Sequence, residues 1–298
     1  MAIPGSGPIS MSMFNTELGR ASNTSNSSLA GGSTPAVGSL FWLANQSGSL
    51  NQTAPHQMSE FYGYSTSDAD FLLDLDAANA SSYGGSGTTW TDLSGKGNNA
   101  TLTNRSAINP VWNSSGWFEF AGSNPFGTYQ NGRYVSTVDG AFARVQSQNR
   151  VSLSVWVYPT ENSYPMIIAG NSYNGAVGFQ GYQIWLYSGN LYGRITVNNT
   201  TTYVDIGTAA SYNAWNHCFL TYDGTNARFY RNNSLAGTSA ISGTINNISP
   251  NRFLIGAQFN AQGATNTAEF YTGYISKVRL YSRVLSDSER TTIYNAGR

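Results

Sequence analysis

Two carboxylates held about 5 Å apart can cleave a glycosidic bond, one as acid and one as nucleophile, so the acidic residues are the first to read. The glutamates are Glu17, Glu60, Glu119, Glu161, Glu269 and Glu289, and none has an aspartate two residues on. Asp74 and Asp76 do have that spacing, on one face of a strand at the entrance to a domain, where a structural role competes with a catalytic one. His217 would need a serine and an aspartate to make a triad, and its place beside Cys218 and Phe219 suits a core histidine better. Cys218 is the one cysteine and His56 the one other histidine, so neither an intramolecular disulfide nor a His/Cys zinc site assembles without outside help. The remaining chemistry is aromatic. Ring faces stack on pyranose rings, and Tyr164, Tyr173, Tyr182, Trp185, Tyr187, Tyr192 and Tyr203 sit in or beside loops. Trp185 alternates with Ile184 and Leu186, so one of the two sets faces outward, and alternation alone does not say which.

The elements that must hold these residues are strands. Of 298 residues, 40% are hydrophobic, 13% aromatic and only 10% charged, with 32 glycines, a composition that favours all-β. Lys+Arg and Asp+Glu balance at 15 each, which leaves no basic surplus to displace counterions from phosphates and argues against nucleic acid. A membrane is argued against too: no apolar run approaches the ~18 residues of a spanning helix, and the first residues show no secretory n-region or h-region. Residues 1–66 read as an extended N-terminal arm, low in complexity, with short helices near Ser12–Leu18 and His56–Tyr62. Apolar islands interrupt it at Ile9, Met11, Met13, Phe14 and Leu18, at Phe41 and Trp42 with their leucine neighbours, and at Phe61 and Tyr62. Each is too small to make a core, so each wants a partner surface, either residues 67–298 or another chain.

From Asp70 onward short period-2 strands alternate with Gly, Asn and Asp turns. Val151, Leu153, Val155 and Val157 share one apolar face of a strand that Pro159 ends. Further strands are expected at Gln183–Tyr187, Leu191–Val197, His217–Tyr222, Ala227–Arg231, Arg252–Gly256 and Tyr274–Tyr281, with hairpin turns at Ser188–Asn190 and Asp223–Asn226. Ser286 and Glu289 form a capping box that predicts one C-terminal helix, stopped by Gly297.

The run Leu73–Leu102 resembles the opening of laminin G-like, concanavalin A-like jelly-roll domains. Phe118-Glu-Phe-Ala-Gly122 with Tyr134-Val135, Ser154–Pro159, Trp215–Gly224, Arg228–Asn233 and Phe270–Ser286 follow in the family's order. The resemblance implies an all-β jelly-roll sandwich over residues 67–298. Glucanases of this fold carry Glu-x-Asp-x-x-Glu along one strand; that motif is absent, so the expectation is a protein without catalytic residues. Many laminin G-like domains bind calcium through loop oxygens, which makes Asp92, Asn98 and the carbonyls of Ser94-Gly-Lys-Gly97 candidate ligands; an Asx turn capped by Asp92 is the competing reading. The acidic residue common after the family's Gly-x-Ile segment is Ser276 here.

Gly7–Gly19 and Ser49–Tyr64 resemble N-terminal segments of structural and appendage proteins of tailed bacteriophages. That resemblance implies a non-enzymatic virion component (fibre, capsid decoration, or tail or neck appendage) whose arm docks on capsid, neck or tail proteins. It would present a lectin-like domain, in several copies or as a homo-oligomer, to a host-surface glycan. A monomeric glycan-binding adhesin is the alternative, and a glycan depolymerase a further one.

Overall fold

Val151, Leu153, Val155 and Val157 are all completely buried, so the strand with the cleanest alternation lies in the core. The computed structural model describes residues 70–298 apart from 106–107, 124–130, 139–141, 162–163, 176–177, 199–202, 247–251 and 260–266. In chain order the strands begin β1 (Phe71–Asp76), β2 (Thr89–Trp90), β3 (Ala100–Asn104), β4 (Val111–Asn113), β5 (Trp117–Phe120), β6 (Gly122–Ser123) and β7 (Asn131–Thr137). Helix α1 (Ala143–Gln148) precedes β8 (Val151–Pro159), β9 (Met166–Gly175), β10 (Gly178–Tyr187), β11 (Asn190–Thr196) and β12 (Tyr203–Ala209). Then come β13 (Asn216–Tyr222), β14 (Asn226–Arg231), β15 (Ser234–Ala240), β16 (Leu254–Ile255), β17 (Gln258–Phe259), β18 (Thr267–Ala268), β19 (Gly273–Tyr281) and helix α2 (Asp287–Asn295).

The strands form two sheets. The first runs β15-β14-β13-β8-β19-β5-β4, with β1 also pairing with β19; the second runs β12-β11-β10-β9-β16-β7-β3-β2, with the β17–β18 hairpin joined to β9. Their inner faces make one core. Leu153, Val155, Leu220, Phe229, Val278 and Leu280 come from the first sheet, and Leu102, Val135, Ile168, Ile184, Leu186 and Ile195 from the second. This is the sandwich expected for residues 67–298, and its compact unit spans Asp70–Arg298. The arm and its two expected helices lie outside the described residues.

Local chemistry explains the joints. Ser188 and Gly189 both adopt positive φ (47° and 83°), the signature of the two-residue type I′ turn whose twist suits a hairpin, and so β10 and β11 are fixed with Tyr187 opposite Asn190. Asn232 and Asn233 do the same between β14 and β15 (49° and 64°). The Ser286 and Glu289 capping box is present as read, and Gly297, at φ 74°, follows the end of α2. Helix α1 was not anticipated: its N-cap is Phe142, which offers no capping side chain, and it closes on Asn149 in the left-handed region.

The sheets approach closely at an inward-facing glycine of β11. A Cβ on Gly193 would stand 2.7 Å from a ring carbon of Phe229 and 2.8 Å from a methyl of Leu220, both immobilised in the core. Gly193→Ala is therefore expected to lower stability by about 1–3 kcal/mol, read as a shift of the urea midpoint at unchanged slope.

Candidate functional site

The two outer faces of the sandwich differ. Helix α2 covers part of the first sheet, where Phe219, Tyr230, Tyr281, Leu285 and Ile293 form a small cluster. Under it lies the expected core histidine. His217 is fully buried, its Nε2 is 2.8 Å from Ser154 Oγ, and its Nδ1 has no partner to orient it as a triad aspartate would. Burial, with help from the Arg279 and Arg290 charges, lowers its pKa to about 3, so the folded protein holds it neutral. Burial likewise pushes the Cys218 thiol up to about 12, which makes it inert.

The sign of the histidine's effect on stability follows. The unfolded imidazole takes up a proton near its ordinary value of 6.5 while the folded one does not, so this contribution is intact above pH 6.5 and is lost as pH falls toward 3. The slope approaches about 1.4 kcal/mol per pH unit. Glu269, held at about 7 by its own burial, acts in the opposite sense between pH 4.5 and 7, so the comparison must be made between two proteins. Urea midpoints of wild type and His217→Gln at pH 7, 6 and 5 are expected to converge as pH falls; parallel lines would mean that the imidazole titrates normally.

Asp74 and Asp76 are structural. The first pairs with Arg279 and the second with Lys277, each at 2.9 Å across the β1–β19 ladder. Asp92 is the hub of a turn: its Oδ1 accepts from the Asp74 and Ser94 amides, and its Oδ2 from the Ser94 hydroxyl and the Asn98 amide, all at 2.7–2.9 Å. Asn98 donates through Nδ2 to the Leu72 carbonyl. A carboxylate has about four acceptor positions. Those of Asp92 are thus taken up by the turn, which is the Asx arrangement read beside the calcium site in the sequence. Ser276 Oγ donates to the Gly116 carbonyl. Among the described residues no three His, Cys, Asp or Glu side chains converge as metal ligands would, and no helix is long and apolar enough to cross a membrane. Ile9, Met11, Met13, Phe14, Leu18, Phe41, Trp42, Phe61 and Tyr62 lie outside the described residues.

The second sheet carries the outward aromatics. Ile184 and Leu186 are buried in the core, which settles the orientation of β10: Trp185 and Tyr187 point outward. Cross-strand pairing sets Tyr192 opposite Trp185, and the two rings stack at 4.7 Å and 25°, while Tyr187 lies parallel to Trp185 at 6.2 Å. Trp185 Nε1 donates to Asp205 Oδ1 at 3.1 Å. Asp205 also receives both arms of Arg194, Nε and Nη2, at 2.7 Å each. The Arg194 guanidinium in turn lies 3.6 Å from the Phe179 ring centre, 4.5 Å from Trp185 and 4.8 Å from Tyr203. The result is a continuous row across three strands, whose ends, Tyr187 and Tyr203, are 38% and 42% exposed. Tyr173 and Tyr182 are instead buried, the former against Leu254 and Phe259. Phe179, Arg194 and Asp205 escape sequence reading, because only the register brings them together.

A second aromatic group lies on the first sheet, where Trp117, Tyr158, Trp215 and Tyr274 meet at 5.1–6.1 Å. Its rings are all half-buried and meet at interplanar angles of 32–66°, and Arg298 lies over both tryptophans.

A laminin G family model, described as the concanavalin A-like lectin/glucanases superfamily, matches residues 126–289. The chain belongs to that superfamily. No curated protein sequence matches this concanavalin A-like chain. Among solved structures it is similar to a binding domain of botulinum neurotoxin DC in complex with SialylT, with a TM-score of 0.55 and 17% identity over 77% of this chain and 51% of that one. A structure described by the dependence of botulinum neurotoxin type C cell entry on two ganglioside molecules gives 0.55 and 14% over 77% and 52%; the DC binding domain with rat synaptotagmin II gives 0.55 and 16% over the same shares. At such identities the likeness is one of fold, and the chain spans about half the length of these structures.

Proposed function

We propose that residues 67–298 are a non-enzymatic glycan-binding domain, displayed on a tailed-phage virion by an arm formed by residues 1–66. The observation that carries the glycan reading is the outward row Tyr187, Trp185 and Tyr192, with Asp205 fixing the indole. Aromatic faces bordered by polar groups are what a pyranose ring, apolar on its C–H faces and polar at its edge, binds. Superfamily membership supports this, as do the SialylT and ganglioside named for two similar structures.

The virion part rests on the sequence. The islands Ile9, Met11, Met13, Phe14 and Leu18, then Phe41 and Trp42, then Phe61 and Tyr62, would bury on capsid, neck or tail proteins, and several copies would let weak sugar contacts sum. Two measurements test the two halves. A glycan array probed with the full chain is expected to show selective binding; silence across the array would remove the glycan reading. Antibody against the full chain is expected to label intact phage particles in electron micrographs. Unlabelled particles, with a chain that is monomeric by light scattering and still binds glycans, would favour the free adhesin. Release of reducing ends would favour a depolymerase.

A further inference from the structure

Four aromatic side chains on the outer face of the first sheet close into a ring. Phe118, Val157 and Ile275 point into the core, so their chain neighbours Trp117, Tyr158 and Tyr274 point outward, and strand pairing sets Tyr158 opposite Tyr274. The pairing of Asn216 with Val157 brings Trp215, one residue before β13, into the same row. Going round, the ring centres are 6.1 Å apart from Trp117 to Trp215, 5.5 Å on to Tyr158, 5.1 Å on to Tyr274 and 5.8 Å back to Trp117. All four residues are half-buried, so part of each ring stays open to a molecule arriving from solvent.

A cation already sits on these rings. The Arg298 guanidinium lies 4.7 Å from the Trp215 ring centre and 5.3 Å from that of Trp117. The residue is exposed, and its one hydrogen bond, from Nη1 to the Ser115 carbonyl, is long at 3.4 Å. Lys277 Nζ donates to the Gly297 carbonyl and so holds the backbone just before it. The carboxylates of the adjoining strands are matched by other cations: Glu119, opposite Tyr274, by Arg133, and Asp76 by Lys277. What holds Arg298 is therefore the negative face of the aromatic rings.

The kind of cation that suits them best follows from the hydrogen bonding. A guanidinium brings five N–H donors and a primary ammonium three, and Arg298 places one of its five on protein. A quaternary ammonium carries the same charge with no donor to satisfy, and its methyl groups match aromatic carbon, so it loses least on leaving water for these rings. We propose that Trp117, Tyr158, Trp215 and Tyr274 form a binding site for a quaternary ammonium group of the choline type, and that Arg298 is its intramolecular stand-in, displaced when the ligand binds. The site lies on the other sheet from Tyr187, Trp185 and Tyr192, and it is independent of the glycan reading of that row.

The test follows the methyl proton resonance of choline titrated with the full chain, which ring currents shift upfield on binding. Wild type is expected to bind choline about tenfold more tightly than dimethylbutanol, the uncharged isostere with carbon in place of nitrogen. Ethanolamine, whose primary ammonium is strongly hydrated, is expected to bind as weakly as the isostere. Arg298→Ala is expected to raise choline affinity about threefold, because no stand-in has to leave. Trp215→Ala is expected to lower it about tenfold. Trp215→Phe, which keeps a ring and answers the case in which the alanine variant fails to fold, is expected to lose less. Cosedimentation with phosphatidylcholine vesicles and not with phosphatidylglycerol vesicles would assign the group to a lipid headgroup; binding of free choline alone would assign it to a soluble or polymer-borne choline. Equal affinity for choline and its isostere would overturn the cation class, and full affinity in Trp215→Ala would overturn the location. Unchanged affinity in Arg298→Ala would overturn the stand-in, and no choline binding by either wild type or Arg298→Ala would overturn the site.

Discussion

Trp185→Ala is expected to lower glycan affinity about a hundredfold while the domain stays folded. The indole is the middle of the row, stacked on Tyr192, parallel to Tyr187, and fixed in rotation by its hydrogen bond to Asp205. A pre-oriented aromatic at the centre of a contact is where binding energy concentrates, and losing about 2.7 kcal/mol there corresponds to that factor. Tyr187→Ala, at the exposed end of the row, is expected to cost closer to tenfold, because part of its ring stays in water. Trp215→Ala is the control from the other sheet, and its affinity is expected to match wild type. The calorimetric titrations that rank these three variants also locate the binding face: loss at Trp215 with retention at Trp185 would move it to the first sheet.

The residues that predicted their own structure did so through short-range chemistry. Ser286 with Glu289 specifies a helix start by reciprocal capping, and Ser188-Gly189 specifies a turn by its tolerance of positive φ. Both signals lie within four residues. Strand β9 was missed because Met166–Gly175 mixes Gly, Asn and Ser into its alternation; what makes it a strand is its nine cross-strand pairs with β10 and the close approach that Gly170 allows. Strand β15 was missed for the same reason, as Ser234–Ala240 has little β propensity and pairs through a turn of two asparagines. The expected strand Arg252–Gly256 shrinks to Leu254–Ile255, a bridge between β9 and β7.

The site was half readable on the same physical grounds. Alternation placed Trp185 and Tyr187 together on one face and left the face unassigned; the burial of Ile184 and Leu186 supplies the sign. Arg194, by contrast, sits in Tyr192-Gly-Arg-Ile-Thr196, which reads as an ordinary strand with its polar residue toward water. Its burial comes from Phe179, Trp185 and Tyr203, which lie on two other strands, and no local pattern encodes that. Asp92 shows the converse, since the Asx turn read in the sequence is present, with four donors at its carboxylate.

Arg194 also carries the largest expected effect on stability. Its side chain is 4% exposed, its fork meets Asp205 through two bonds of 2.7 Å, and its plane fills the space between Phe179 and Trp185. Arg194→Ala leaves the Asp205 carboxylate to water and the indole N–H, and empties the gap between the rings. Because Asp205 is exposed, the cost lies in the lost packing and hydrogen bonds of the buried guanidinium, about 2–4 kcal/mol, which in a unit of this size lowers the melting temperature on the order of 10 °C. Lysine restores the charge without the fork or the plane, so Arg194→Lys is expected to recover only part of the loss. Removing both charges is a different change, because no ion is then left unpaired: Arg194→Met with Asp205→Leu is expected to melt within a few degrees of wild type. Sugar binding should not return with it, since both the guanidinium and the anchor of the Trp185 indole are gone. Calorimetric melting and sugar titration of the same four proteins therefore separate the two roles of this residue. A double variant that is stable yet binds as wild type would show that Arg194 serves the fold alone.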